Sequence, residues 1–131
     1  MNYRDIAIGA AVAALLLAPL PVCAADAPGE TVTAMTHAEL AAKASDIATV
    51  QMHLHHALNC LVGPGGAGFD AKNMNPCANA GNGAIPDTGD AGKKAALEAA
   101  ATKAKAGLAA TDLATAQKDA SDAAAALKAI K

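Results

Sequence analysis

Apolar side chains between residues 36 and 61 recur at the three- and four-residue spacing of one face of an α-helix. They are Leu40, Ile47, Val50, Leu54, Leu58 and Leu61. Thr36 and Glu39 have the spacing of a capping box, in which a threonine caps the helix and a glutamate three residues later reaches back to it. No Gly or Pro follows until Gly63-Pro64. The pattern predicts one uninterrupted helix over about 36–61.

Two more helices are predicted near the C-terminus, over about 93–108 and 112–130. Alanine or leucine recurs every three or four residues in both, with lysine and aspartate between them. Thr111 is a candidate N-cap, and Asp112 suits the positive end of a helix dipole. Because the connection is short and the apolar positions are mostly alanine, we expect two antiparallel helices in close contact.

Residues 62–91 are rich in Gly and Asn, and their turn signals predict a loop. A loop of this length in a small domain is usually functional or disordered. We expect Phe69, Met74 and Ile85 to hold it against the helices. The predicted fold class is all-α: a small antiparallel three-helix bundle over residues 36–131 with a long disulfide-tied loop.

The first 25 residues have the pattern of a signal peptide. Arg4 supplies a positive charge, and an apolar run over 6–17 is too short to span a bilayer comfortably. Cleavage fits after Ala24 and almost as well after Ala25. Lipidation of Cys23 is the alternative, but Val22 stands where a lipoprotein signal has a small residue. Residues 26–35, which include a Pro-Gly turn signal, are predicted to be a flexible N-terminal segment.

Removal of residues 1–25 leaves two of the three cysteines, Cys60 and Cys77. An even pair in an exported chain predicts a disulfide and a periplasmic or secreted location. The net charge of −2 argues against a nucleic-acid partner and a polybasic membrane surface. The mature chain has no second apolar run long enough to span a membrane.

Three of the four histidines lie between positions 53 and 56. At about 100° per residue, His53 and His56 share one helix face with Cys60, whereas His55 lies on another. His53 and His56 can therefore bind one metal ion, with His55 or Met52 as auxiliary ligands. His37 lies several turns away on the same predicted helix. Surface histidines with no metal are the simple alternative.

A third ligand must come from elsewhere, and the sequence leaves several candidates open: Asp46, Met52, Asp70, Met74 and Asp87. Imidazole with thioether suits copper, and imidazole with carboxylate suits zinc or nickel. Unoxidised Cys60 and Cys77 would give a Cys2His2 set with the two histidines, but export favours the disulfide. We expect the disulfide to anchor the loop over the His53/His56 face.

The segment Ala99–Leu127, and above all Ala104–Ala116, resembles the helical hairpins of small metal-binding proteins exported by some bacteria. The resemblance covers about a third of the mature chain and implies an Ala-rich helix pair carrying histidine ligands. This chain departs from that pattern, because residues 57–131 contain no histidine. The resemblance therefore implies metal binding at His53, His55 and His56.

Together these features predict an exported periplasmic protein that sequesters copper, nickel or zinc and has no organic cofactor. The alternative is a non-catalytic structural or interaction module of the cell envelope that recognises a partner protein through loop 62–91. No catalytic constellation is present in the sequence, so we do not expect an enzyme.

Overall fold

The computed structural model describes residues 25–130, so nearly all of the predicted signal peptide lies outside the described residues. The described part is all-helical, as predicted, and contains no strand. Its helices are α1 Ala27–Lys43, α2 Ile47–Val62, α3 Ala84–Asp87, α4 Ala91–Ala109 and α5 Leu113–Lys128. Within this part, none of the helices has the length and apolar character needed to cross a membrane.

Helix α1 covers most of the segment that the sequence predicted to be flexible, and that prediction was wrong. Asp26 is the N-cap, and its Oδ1 accepts a hydrogen bond from the N–H of Gly29 at 3.0 Å. Pro28 lies in the first turn, where its missing N–H costs nothing. Thr36, the predicted cap, lies inside the helix, and its hydroxyl donates to the carbonyl of Val32.

The predicted helix 36–61 is divided into α1 and α2 at residues 44–46, a second error of the sequence prediction. Asp46 begins α2 by accepting hydrogen bonds from both the N–H and the hydroxyl of Thr49, each at 2.8 Å. The carbonyl of Ala44, left free at the end of α1, accepts a hydrogen bond from Gln117 of α5 at 2.8 Å. The break therefore uses a capping aspartate and a contact from a distant helix, with no Gly or Pro.

The four long helices form two hairpins, α1–α2 and α4–α5, with α1 against α5 and α2 against α4. This is a four-helix arrangement rather than the predicted three-helix bundle. The break divides the predicted first helix into α1 and α2, and α2 packs back against α1. The predicted helices 93–108 and 112–130 correspond to α4 and α5. Most core positions are alanine, and the largest fully buried apolar residues are Val50, Leu54, Leu58, Leu61 and Leu97.

The buried side chain of Asn59 on α2 makes several contacts with the loop between α2 and α3. Its amide nitrogen lies 3.0–3.2 Å from the carbonyls of Asp70, Asn73 and Met74. Its amide oxygen accepts a hydrogen bond from the N–H of Asp70 at 2.9 Å. Since a buried amide without partners is costly, this arrangement fixes the loop against α2.

Three further observations bear on the predicted loop 62–91. Phe69 and Ile85 pack against the core as predicted, but Met74 does not, since 61 % of its surface is exposed. The short helix α3 interrupts the loop, and α4 begins at its end. The Cys60–Cys77 disulfide is present, with both residues buried. Both sulfurs are therefore removed from the set of possible thiolate ligands.

A buried carboxyl group joins the start of α1 to the end of the loop. Glu30 is fully buried, and its Oε1 accepts a hydrogen bond from the N–H of Gly83 at 2.9 Å, while its Oε2 has no partner among the described residues. Burial raises the pKa of Glu30 to about 7; the nearby carboxylates of Asp87 and Asp26 add to the effect, and the Gly83 N–H opposes it. Glu30 is therefore largely protonated below neutral pH.

Candidate metal centre

Three histidines from two helices converge on the seam between α1 and α2. His37 comes from α1, and His53 and His56 come from α2. One nitrogen from each ring lies within 4.8 Å of the others. His37 and His53 lie equally far from the connector 44–46, so the antiparallel hairpin sets them opposite each other. These three residues are called the three-histidine cluster below.

The rings of the cluster are in direct contact. The Nδ1 atoms of His37 and His53 lie 3.2 Å apart. His56 stands nearly perpendicular to both rings, at 86° to His37 and 87° to His53, with centroid distances of 5.0 and 5.8 Å. The contact between the Nδ1 atoms can be a hydrogen bond only if one of them carries a proton and the other does not. One nitrogen from each of the three rings therefore lies in a small shared space.

Burial and repulsion between imidazoles favour the neutral forms of His37 and His56, whose pKa values are both lowered. The pKa of His37 is lowered by burial first, and then by His56 and His53. The pKa of His56 is lowered by burial, and then by His53 and His55. Neutral imidazole is the form that binds metal ions. The electrostatics therefore favour the metal-binding state of the side chains.

His56 has the least access to solvent in the cluster, with 7 % of its surface exposed. Its Nδ1 is buried and has no hydrogen-bond partner among the described residues. An unsatisfied buried nitrogen requires a compensating partner such as a water molecule or an ion. The donor set therefore fits a transition-metal ion, because three imidazoles suit zinc, copper and nickel.

The sequence-predicted ligands are only partly brought together. His53 and His56 share the site as predicted. His55 does not join them: its Nδ1 lies 3.6 Å from Asp70 Oδ2, on the loop side of α2. Met52 lies on α2 with 40 % of its surface exposed.

The third member of the cluster, His37, is the residue that sequence reasoning missed. A continuous helix would carry it several turns from His53, whereas the break at 44–46 folds it back. The proposed carboxylate ligands are used elsewhere: Asp46 caps α2, Asp70 binds within the loop, and Asp87 accepts from Asn82. The site therefore lies between two helices and not, as predicted, between a helix and the loop.

No family model, curated protein or solved structure matches this chain.

Proposed function

We propose that this protein binds a transition-metal ion, copper, nickel or zinc, at the three-histidine cluster and acts by sequestering it outside the cytoplasm. The observation that carries the proposal is the convergence of His37 with His53 and His56, each offering a nitrogen within 4.8 Å of the others. Within the cluster, His56 is buried and its Nδ1 has no hydrogen-bond partner among the described residues, so a bound ion could serve as that partner. The proposed role is binding, and no catalytic step is part of it.

The location rests on separate features. The buried Cys60–Cys77 disulfide supports an oxidising compartment, because such bonds are rare where thiols are kept reduced. The signal-peptide pattern of residues 1–25 supports export through the inner membrane. A periplasmic or secreted metal-binding protein is the function that these features support best.

The test is calorimetric titration of the purified protein with Zn(II), Ni(II) and Cu(II). We expect His37→Ala to weaken binding more than about a hundredfold, since even outer partners of a metal site are worth roughly 10–100-fold. The matched control is His55→Ala, which removes a neighbouring histidine that faces Asp70. Equal affinities for the wild type and His37→Ala would refute the site.

A second candidate function is recognition of an envelope protein through the loop. A groove of about 660 Å³ supports it, bordered by residues 62–67, by Ile85 and by α4. In this case Ile85→Asp should abolish partner capture, while a chelator should leave it unchanged. The control Ala125→Asp alters the exposed face of α5, away from the groove. Capture that survives Ile85→Asp would exclude the groove.

A further inference from the structure

Helix α2, which carries two of the three cluster histidines, also carries a soft donor that the histidine set does not include. Met52 directly precedes His53 and lies four residues before His56 on α2. At about 100° per residue, positions 52 and 56 lie about 40° apart on the helix surface, one turn from each other. Helical side chains lean toward the N-terminus, so the ring of His56 leans toward the turn that carries Met52.

Burial distinguishes Met52 from the residues that form the core. Its side chain is 40 % exposed, whereas its neighbours on the inner face, Val50 and Leu54, are fully buried. The side chain of Met52 is therefore partly open to solvent and is not enclosed in the core. An unbranched side chain with three rotatable bonds adapts its position readily. Met52 can therefore reorient toward His56, one turn further along the same helix.

The two donor types are imidazole and thioether. Their chemistry determines which metal ion would bind more tightly when Met52 is a ligand. Zinc and nickel bind imidazole well and gain little from a thioether. Cuprous ion is soft and binds methionine sulfur readily. The disulfide removes both thiols near the site, so among the described residues the nearest soft donor by position along α2 is this methionine.

We propose that the site selects cuprous copper and that Met52 is its fourth ligand, an inference that rests on the proposed function of the cluster. Met52 would determine specificity, since it adds affinity for one ion and almost none for the competing ones. Its exposure also places the sulfur where an incoming copper ion would meet it first. The three histidines would then complete the coordination.

The experiment compares Met52→Leu with the wild type, both expressed from the complete chain. Leucine keeps the volume and apolar character of the side chain and removes only the sulfur. Cu(I) affinity is measured without oxygen by competition with a chromophoric chelator, and Zn(II) affinity by a parallel competition. We expect Met52→Leu to weaken Cu(I) binding about tenfold or more, to leave Zn(II) binding unchanged, and to lose the copper–sulfur signal in X-ray absorption. The control is Met74→Leu, which removes an exposed thioether from the loop.

Each outcome bears on one of the two proposals. Unchanged Cu(I) affinity in Met52→Leu, or an equal loss for Zn(II), overturns the assignment of Met52 and leaves the histidine site standing. An equal loss of Cu(I) affinity in Met74→Leu also overturns it. If the wild type binds neither Cu(I) nor Zn(II), the inference about Met52 is wrong; if the calorimetric titrations with Ni(II) and Cu(II) also show no binding, the proposed function itself is wrong.

Discussion

Replacing Glu30 by glutamine should make the protein more stable above neutral pH and leave it almost unchanged in acid. The folded protein binds the Glu30 proton more tightly than the unfolded chain, because the pKa rises from 4.5 to about 7. The stabilisation is therefore fully present below pH 4.5 and is lost as the pH rises through about 7. Glutamine remains neutral throughout, and its amide oxygen can still accept the hydrogen bond from the N–H of Gly83.

The expected magnitude follows from the same pKa values. Each tenfold change in proton affinity corresponds to about 1.4 kcal/mol, so the rise corresponds to about 3 kcal/mol. At pH 8 we expect the free energy of unfolding of Glu30→Gln to exceed that of the wild type by up to that amount. At pH 4 the two should agree closely. A gain of this size is large against the total stability of a small domain.

The assay is urea denaturation of both proteins at pH 4, 6 and 8, followed by circular dichroism. Glu98→Gln on α4 is the control, because it makes the same chemical change at an exposed position. The histidines titrate in both proteins, so their contribution cancels in the difference. A difference that does not change with pH, or a loss of stability at pH 8, would refute the reasoning about Glu30.

Three further predictions concern the cluster, the loop and the disulfide. In the Glu30→Gln background and with a chelator present, the free energy of unfolding should fall as the pH drops below 6.5. The pKa values of His37 and His56 are lowered in the folded protein, so acid favours the unfolded chain. A free energy of unfolding that stays constant between pH 7 and 5 would contradict this. Gly63→Ala should lower the free energy of unfolding by about 2 kcal/mol or more, since φ is 66° and a Cβ would lie 1.5 Å from the carbonyl oxygen of Asn82. At Gly65 a Cβ would have no heavy atom within 4 Å, so Gly65→Ala should change the free energy of unfolding by no more than about 0.5 kcal/mol. Equal shifts in the denaturation midpoint of the two variants would rule this out. Dithiothreitol should lower the free energy of unfolding by about 3 kcal/mol, because reduction of the Cys60–Cys77 disulfide removes its constraint on the unfolded chain. An equal effect on the Cys60→Ala/Cys77→Ala variant would show that the reductant acts elsewhere.

Some parts of the fold could be predicted from the sequence because their signals are local. The α4–α5 hairpin followed from alanine spacing, although the N-cap of α5 is Asp112 and not the predicted Thr111. The break between α1 and α2 could not be found in this way. Its only local signal is Asp46 followed by Thr49, and its other support comes from Gln117, seventy-three residues from Ala44. The helical spacing of apolar residues continues through the break and therefore does not indicate it.

The undetected break between α1 and α2 also limited what could be predicted of the candidate metal site. Helical geometry correctly paired His53 with His56 and separated His55 from them. The position of His37 depends on the turn between α1 and α2. A helical wheel drawn for one continuous helix cannot show a contact made across such a turn. Met52 remains a prediction, and its test is the metal selectivity described above.

The alanine-rich core reverses the usual pattern of mutational sensitivity. In most domains the damaging core change is truncation, which leaves a cavity. Here twelve of the 21 buried hydrophobic residues in residues 25–130 are already alanine, so little remains to be removed at those positions. The damaging change is enlargement, because added methylene groups would force closely packed helices apart. A complete mutational scan should therefore show intolerance of larger side chains along the helix seams, and truncation should be severe only at the few buried leucine and valine positions.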